Sequence, residues 1–94
     1  MIRRSFHLDH AGHSVTVDLL GGHTVEAELL VDGKELAVRH ERGTESLLLT
    51  GELPDDPPQP FTVRVEHARR GARHAACVLV LAGRELPMPE RTAA

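Results

Sequence analysis

Leu29-Leu30-Val31-Asp32-Gly33-Lys34-Glu35-Leu36 is the stretch on which the fold turns. Asp-Gly between two apolar runs suits a two-residue type I′ turn, because both central residues need a positive φ. That turn sets a register, with Val31 opposite Lys34, Leu29 opposite Leu36 and Ala27 opposite Val38. On the other face it sets Glu26 opposite Arg39, an opposite-charge pair worth about 0.2–1 kcal/mol. A slip of one residue would bring leucine opposite glutamate on every row.

The same two-residue period extends in both directions. Phe6 and Leu8 alternate with Ser5, His7 and Asp9, and Val15, Val17 and Leu19 alternate with Ser14, Thr16 and Asp18. Val25, Ala27, Leu29 and Val31 alternate with Thr24, Glu26 and Glu28, and Phe61, Val63 and Val65 alternate with Thr62, Arg64 and Glu66. This is the pattern of strands with one face buried and one wet. Gly21-Gly22, Gly43, Pro54 to Pro60, Gly71 and Gly83 punctuate the runs as turns. Strands are predicted near 5–10, 14–20, 24–31, 34–40, 45–53, 61–67, 74–81 and 84–88.

Two further hairpins are predicted. Leu79-Val80-Leu81-Ala82-Gly83-Arg84-Glu85-Leu86 repeats the first at an offset of 50 residues, pairing Leu79 with Leu86 and Cys77 with Met88. Ala82 is a poorer first turn residue than Asp32, so a longer or bulged turn is expected there. A turn at Ala11-Gly12 pairs Leu8 with Val15 and Phe6 with Val17. Hairpins around one core imply two packed sheets. The predicted fold is all-β, a small antiparallel β-sandwich of seven to eight strands with little or no helix. It forms one domain over 1–94, with an ordered core over about 5–88 and a flexible tail at 89–94. Phe6, Leu8, Val15, Val17, Ala27, Leu29, Leu36, Val38, Phe61, Val63, Val65, Leu79 and Leu86 are expected to form the core.

VEAELLVDGKEL (25–36), preceded by Gly21-Gly22, resembles the N-terminal domain of Fas apoptotic inhibitory molecule proteins. VLVLAGREL (78–86) is similar to the closing hairpin of that domain. The resemblance spans most of residues 5–88 and implies a non-catalytic β-sandwich that acts through protein contacts. It supplies no catalytic residues. The chain departs from the family in lacking aromatic-rich strands and in carrying the Pro54–Pro60 segment.

Composition narrows the function classes. The 94 residues carry 11 basic and 14 acidic side chains, a net charge of −3, with 40% apolar and 27% charged residues. No apolar run approaches the roughly 20 residues of a membrane helix, and no apolar stretch follows the basic start, so a cytoplasmic protein without a membrane partner is expected. Phe6 and Phe61 are the only aromatics, which leaves little for stacking on bases or sugars. The acidic balance argues against nucleic acid as a partner.

Seven histidines raise a metal reading, tested on His10 and His13, which face each other across the first turn. Two imidazoles fall short of the three or four ligands zinc takes. No cofactor and no metal site is therefore expected, and a metal- or ligand-binding protein or enzyme using His10 and His13 is the alternative. Cys77 lies within an apolar strand and reads as a buried, inert thiol. No Gly-x-Ser-x-Gly elbow or phosphate loop occurs, so the reading is a non-catalytic binding module.

Two surfaces are candidate sites. Arg64, Arg69, Arg70 and Arg73 gather near the Gly71 turn and could take an anion or an acidic partner. Ala76, Val78 and Val80 lie on the second face of a strand that is apolar on both sides, a candidate self-association strip. With an unknown protein partner, the chain is expected to be a monomer or a weak homodimer.

Overall fold

A computed structural model describes residues 3–21, 24–42, 45–68 and 72–91. Nine strands follow one another: β1 (Arg3–His10), β2 (His13–Gly21), β3 (Thr24–Val31), β4 (Lys34–Arg42), β5 (Ser46–Leu53), β6 (Gln59–Glu66), β7 (Ala76–Leu81), β8 (Arg84–Met88) and β9 (Glu90–Arg91). They form two antiparallel sheets, one ordered β4-β3-β2-β1-β9 and the other β5-β6-β7-β8. A 3₁₀ turn at Ala72–His74 precedes β7. The chain is thus all-β, as its period of two predicts. Glu90–Arg91, within the expected tail, adds a ninth strand against Ser5 and Phe6 of β1.

Three two-residue turns join β1 to β2, β3 to β4 and β7 to β8. Each has positive φ at both central residues: Ala11 and Gly12 at 52° and 81°, Asp32 and Gly33 at 52° and 82°, Ala82 and Gly83 at 50° and 77°. These are the left-handed values a type I′ turn needs. Ala82 therefore sits in the same short turn as Asp32, and the longer or bulged turn expected from its side chain does not form. Leu8 pairs with Val15 and Phe6 with Val17, while Leu79 pairs with Leu86 and Cys77 with Met88, each in the predicted register.

The middle hairpin departs from its predicted register. Val31 pairs with Lys34 and Leu30 with Glu35, but a bulge then sets Leu29 opposite Ala37, Ala27 opposite Arg39 and Glu26 opposite His40. Leu36 and Val38 consequently leave the expected core and lie 39% and 43% exposed. Nor is there a Glu26–Arg39 pair, since Arg39 pairs with Glu41 on its own strand.

The inward faces of both sheets meet in a core led by Val15, Val17, Leu19, Leu29, Leu49 and Leu79, with Phe6 and Phe61 also buried. Leu8 and Leu86 pack against it from its margin. Among the described residues the buried set holds no polar or charged side chain. Each buried Val, Leu or Phe contributes about 1.5–3 kcal/mol, so apolar burial dominates the fold.

Polar groups close the two ends of this core. At one end the Arg4 guanidinium donates to both carboxylate oxygens of Glu90 at 2.9 Å and to the carbonyls of Arg73 and Ala75 at 2.8 Å. It also lies 4.8 Å from the centroid of the Phe6 ring, a cation–π distance. Arg4 thereby ties β1 to β9 and to the entry of β7. At the other end His13 stands between Asp32 and Asp55.

Candidate functional site

With the inward faces spent on the core, function has the two outer faces, the turns and the ends to use. Strand alternation makes these outer faces very different. On the five-stranded sheet, Asp18 sits directly opposite Glu28, Leu20 opposite Glu26, and Arg3 reaches Asp18 only at 3.9 Å. Like charges placed directly opposite are unfavourable, and this face gathers three carboxylates that are themselves half-buried.

The outer face of the four-stranded sheet carries Arg64 against Glu52, Glu66 and Glu85 and more exposed apolar side chains. Its rows run Leu48–Arg64–Val78–Pro87 and Thr50–Thr62–Val80–Glu85. Leu48 is 50% exposed, the highest value among the large apolar side chains described. At the β5 edge of this face, where β4 passes, Leu36 is carried out by the β4 bulge and lines a shallow groove of about 670 Å³ together with Thr50, Thr62 and Val80. Glu52 and Pro60 form its far wall.

Leu48 and Leu36 were not among the predicted site residues. The signal for Leu48 is present in Leu47-Leu48-Leu49, because three successive leucines on a strand must place one on the outer face. Leu36 has no such signal, since only the bulge exposes it.

Of the four arginines expected to gather near the Gly71 turn, Arg64 and Arg73 are described, and Arg64 is engaged by carboxylates. Arg64 donates to Glu66 at 3.1 Å and to Glu85, so one positive charge faces two negative ones. Glu85 chiefly, then Glu66, raises the Arg64 pKa above its ordinary value. Arg73 is exposed, and its carbonyl is held by Arg4. Arg69 and Arg70 lie outside the described residues.

The predicted self-association strip lies on the outer face of β7, as its alternation requires. Ala76 is exposed, while Val78 and Val80 are half-buried. To reach Glu85 on β8, Arg64 must pass over β7, and its methylenes shade these two valines. The open apolar surface is therefore displaced toward β5 and β4, at Leu48 and Leu36.

His10 and His13 are cross-strand partners, as the hairpin register predicts. They do not open onto a common metal position. The Nδ1 of His13 is 2.8 Å from Asp32 and its Nε2 is 2.7 Å from Asp55, so both ring nitrogens are engaged. Among the described residues no group of three or more His, Cys, Asp or Glu is arranged to hold a metal ion. Hydrogen bonds donated to Asp55 and then to Asp32 raise the His13 pKa above the ordinary imidazole value. Asp32 accepts the Ser14 N–H at 2.9 Å, and this bond, with His13, lowers its own pKa.

His7 makes a second polar line, 3.0 Å from Thr16 Oγ1 and 2.9 Å from Asp9 Oδ1. Hydroxyl, imidazole and carboxylate in series have the connectivity of an acyl-transfer triad. Here the line lies on the outer face of a sheet. β2 runs between β1 and β3, so its N–H groups are spent in the ladder instead of stabilising an oxyanion above Thr16. Cys77 is 3% exposed, and burial pushes its thiol pKa up to about 12, which removes it as a nucleophile at neutral pH.

Compared with protein-family models, curated proteins and solved structures, the chain matches none.

Proposed function

We propose that this chain is a non-catalytic β-sandwich module that binds another protein through the outer face of its four-stranded sheet. The observation that carries the reading is the exposure of Leu48 and Leu36, at 50% and 39%, around the groove of Thr50, Thr62 and Val80. Exposed leucines beside a groove of mixed polar and apolar lining, with Glu52, Glu66 and Glu85 on the same face, have the makings of a recognition patch that joins apolar contact to hydrogen bonding. The opposite face carries Asp18, Glu26 and Glu28 at its centre, with Val38 exposed on its edge strand. The resemblance of the two hairpins to the Fas apoptotic inhibitory molecule domain agrees with a module that works through protein contacts.

Capture from the native cell on immobilised protein tests this reading. Wild type should enrich a partner that Leu36→Lys/Leu48→Lys recovers about tenfold less, a difference of about 1.4 kcal/mol. Glu26→Gln/Glu28→Gln, on the acidic face, should recover it undiminished. Equal recovery by wild type and the lysine variant would overturn the assignment of the face.

A further inference from the structure

We propose that His13 is a proton-operated latch, which in its doubly protonated form ties the 54–58 loop to the β1–β2 hairpin and on losing a proton lets that loop go. The arrangement is geometric before it is electrostatic. One imidazole joins three elements: the first hairpin, the β3–β4 turn through Asp32 at 2.8 Å, and the β5–β6 loop through Asp55 at 2.7 Å. Both ring nitrogens face carboxylate oxygens, and both can donate only in the imidazolium. The side chain is 15% exposed, and its partners Asp32 and Asp55 are 44% and 32% exposed.

The two arms are held unequally. Asp32 also accepts the Ser14 N–H at 2.9 Å, and its own N–H donates to the Ser14 carbonyl at 2.8 Å. Among the described residues, His13 alone holds the Asp55 carboxylate, while the Asp55 N–H donates locally to the Leu53 carbonyl. Neutral His13 keeps one N–H, and the latch requires that it stay on Nδ1, toward the anchored Asp32. The other nitrogen then presents a lone pair to Asp55, and the loop arm opens.

Asp55 and Asp32 are the charged groups that act on His13, and His10 faces it as its cross-strand partner on β1. Because folding raises the His13 pKa, the latch adds stability in full below the unfolded imidazole value of about 6.5. That contribution is lost as the pH rises through the raised folded value. Glu52 and Pro60 bracket the loop and line the groove, so release loosens that wall; this consequence rests on the groove being the recognition surface.

A pH titration of the isotopically labelled full chain by NMR tests the latch without any partner. His13 should titrate above the ordinary imidazole value, and the backbone amides of Asp55, Asp56 and Gln59 should shift with the same midpoint. In Asp55→Asn, the His13 midpoint should fall and the loop amides should stop following it. Asp32→Asn should lower the midpoint while leaving Asp55 as the surviving partner. A wild-type His13 that titrates at or below the ordinary value, or loop amides that stay flat through its titration, would overturn the latch. A loop that follows His13 while partner capture by the groove stays constant over the same pH range leaves the latch standing and overturns the reading of the groove.

Discussion

Ala82 carries a cost that its neighbours impose. A left-handed backbone brings Cβ toward the following carbonyl oxygen, at about 1–2 kcal/mol for an ordinary L residue. Ala82 at φ 50° and Ala11 at φ 52° accept it, whereas Asp32 at φ 52° offsets it through its bond to Ser14. Asn tolerates this region and is favoured before Gly in type I′ turns. Ala82→Asn should therefore raise unfolding stability by about 0.5–1 kcal/mol. Urea titration would show this as a higher midpoint with an unchanged slope; a lower midpoint would contradict the turn assignment. At this scale the sequence was legible where side chain and turn agreed, as at Asp32-Gly33. It misled at Ala82, because the pairing of Leu79 with Leu86 and Cys77 with Met88 outweighs one residue's preference.

Among the elements, β4 departs furthest from its alternation. Leu36-Ala37-Val38 is apolar at three successive positions, so its pattern fits either register and the bulge decides between them. β4 is also an edge strand, lying beside β5 at the margin of the sandwich. Arg39 falls opposite Ala27, on the inward side, where it pairs with Glu41 and donates to the Leu48 carbonyl at 3.3 Å. Charges turned inward on an edge strand keep other chains from pairing with it.

The bulge sends Leu36 over β5, and Gly51 makes the room. A Cβ at Gly51 would lie 3.0 Å from Leu36 Cδ1, 3.1 Å from Phe61 Cζ and 3.3 Å from Leu29 Cδ2. Gly51→Ala should destabilise the fold by about 1–2 kcal/mol through overpacking. The loss should shrink by about 0.5 kcal/mol or more in a Leu36→Ala background, because the two positions share a contact. Additive losses in a double-mutant cycle would mean that Leu36 does not lie over Gly51.

Over the whole molecule, the sequence conveys the layers better than their fastenings. Period-two runs and turn spacing reveal an all-β sandwich, because every strand repeats the same local signal. The end clamps join residues far apart in the chain, 86 positions between Arg4 and Glu90 and 42 between His13 and Asp55. No local pattern links such pairs, so the sequence sets His13 against His10 across the first turn and Asp55 within the Pro54–Pro60 turn, and only the packed sheets bring the two together. The candidate site was half legible for a related reason. Val78 and Val80 announce an apolar outer face, but Arg64 covers them and moves the open surface to Leu48 and Leu36.

The central claim is that recognition belongs to the outer face of the four-stranded sheet and not to the acidic face behind it. Site-specific photo-crosslinking in the native cell tests this most directly, with a benzophenone amino acid placed in the groove (Thr50→benzoylphenylalanine) or on the opposite face (Glu28→benzoylphenylalanine). A discrete adduct with another protein is expected from position 50, reduced about tenfold when Leu48→Lys is added, and none from position 28. An adduct from position 28 alone, or equal yields from both, would contradict it.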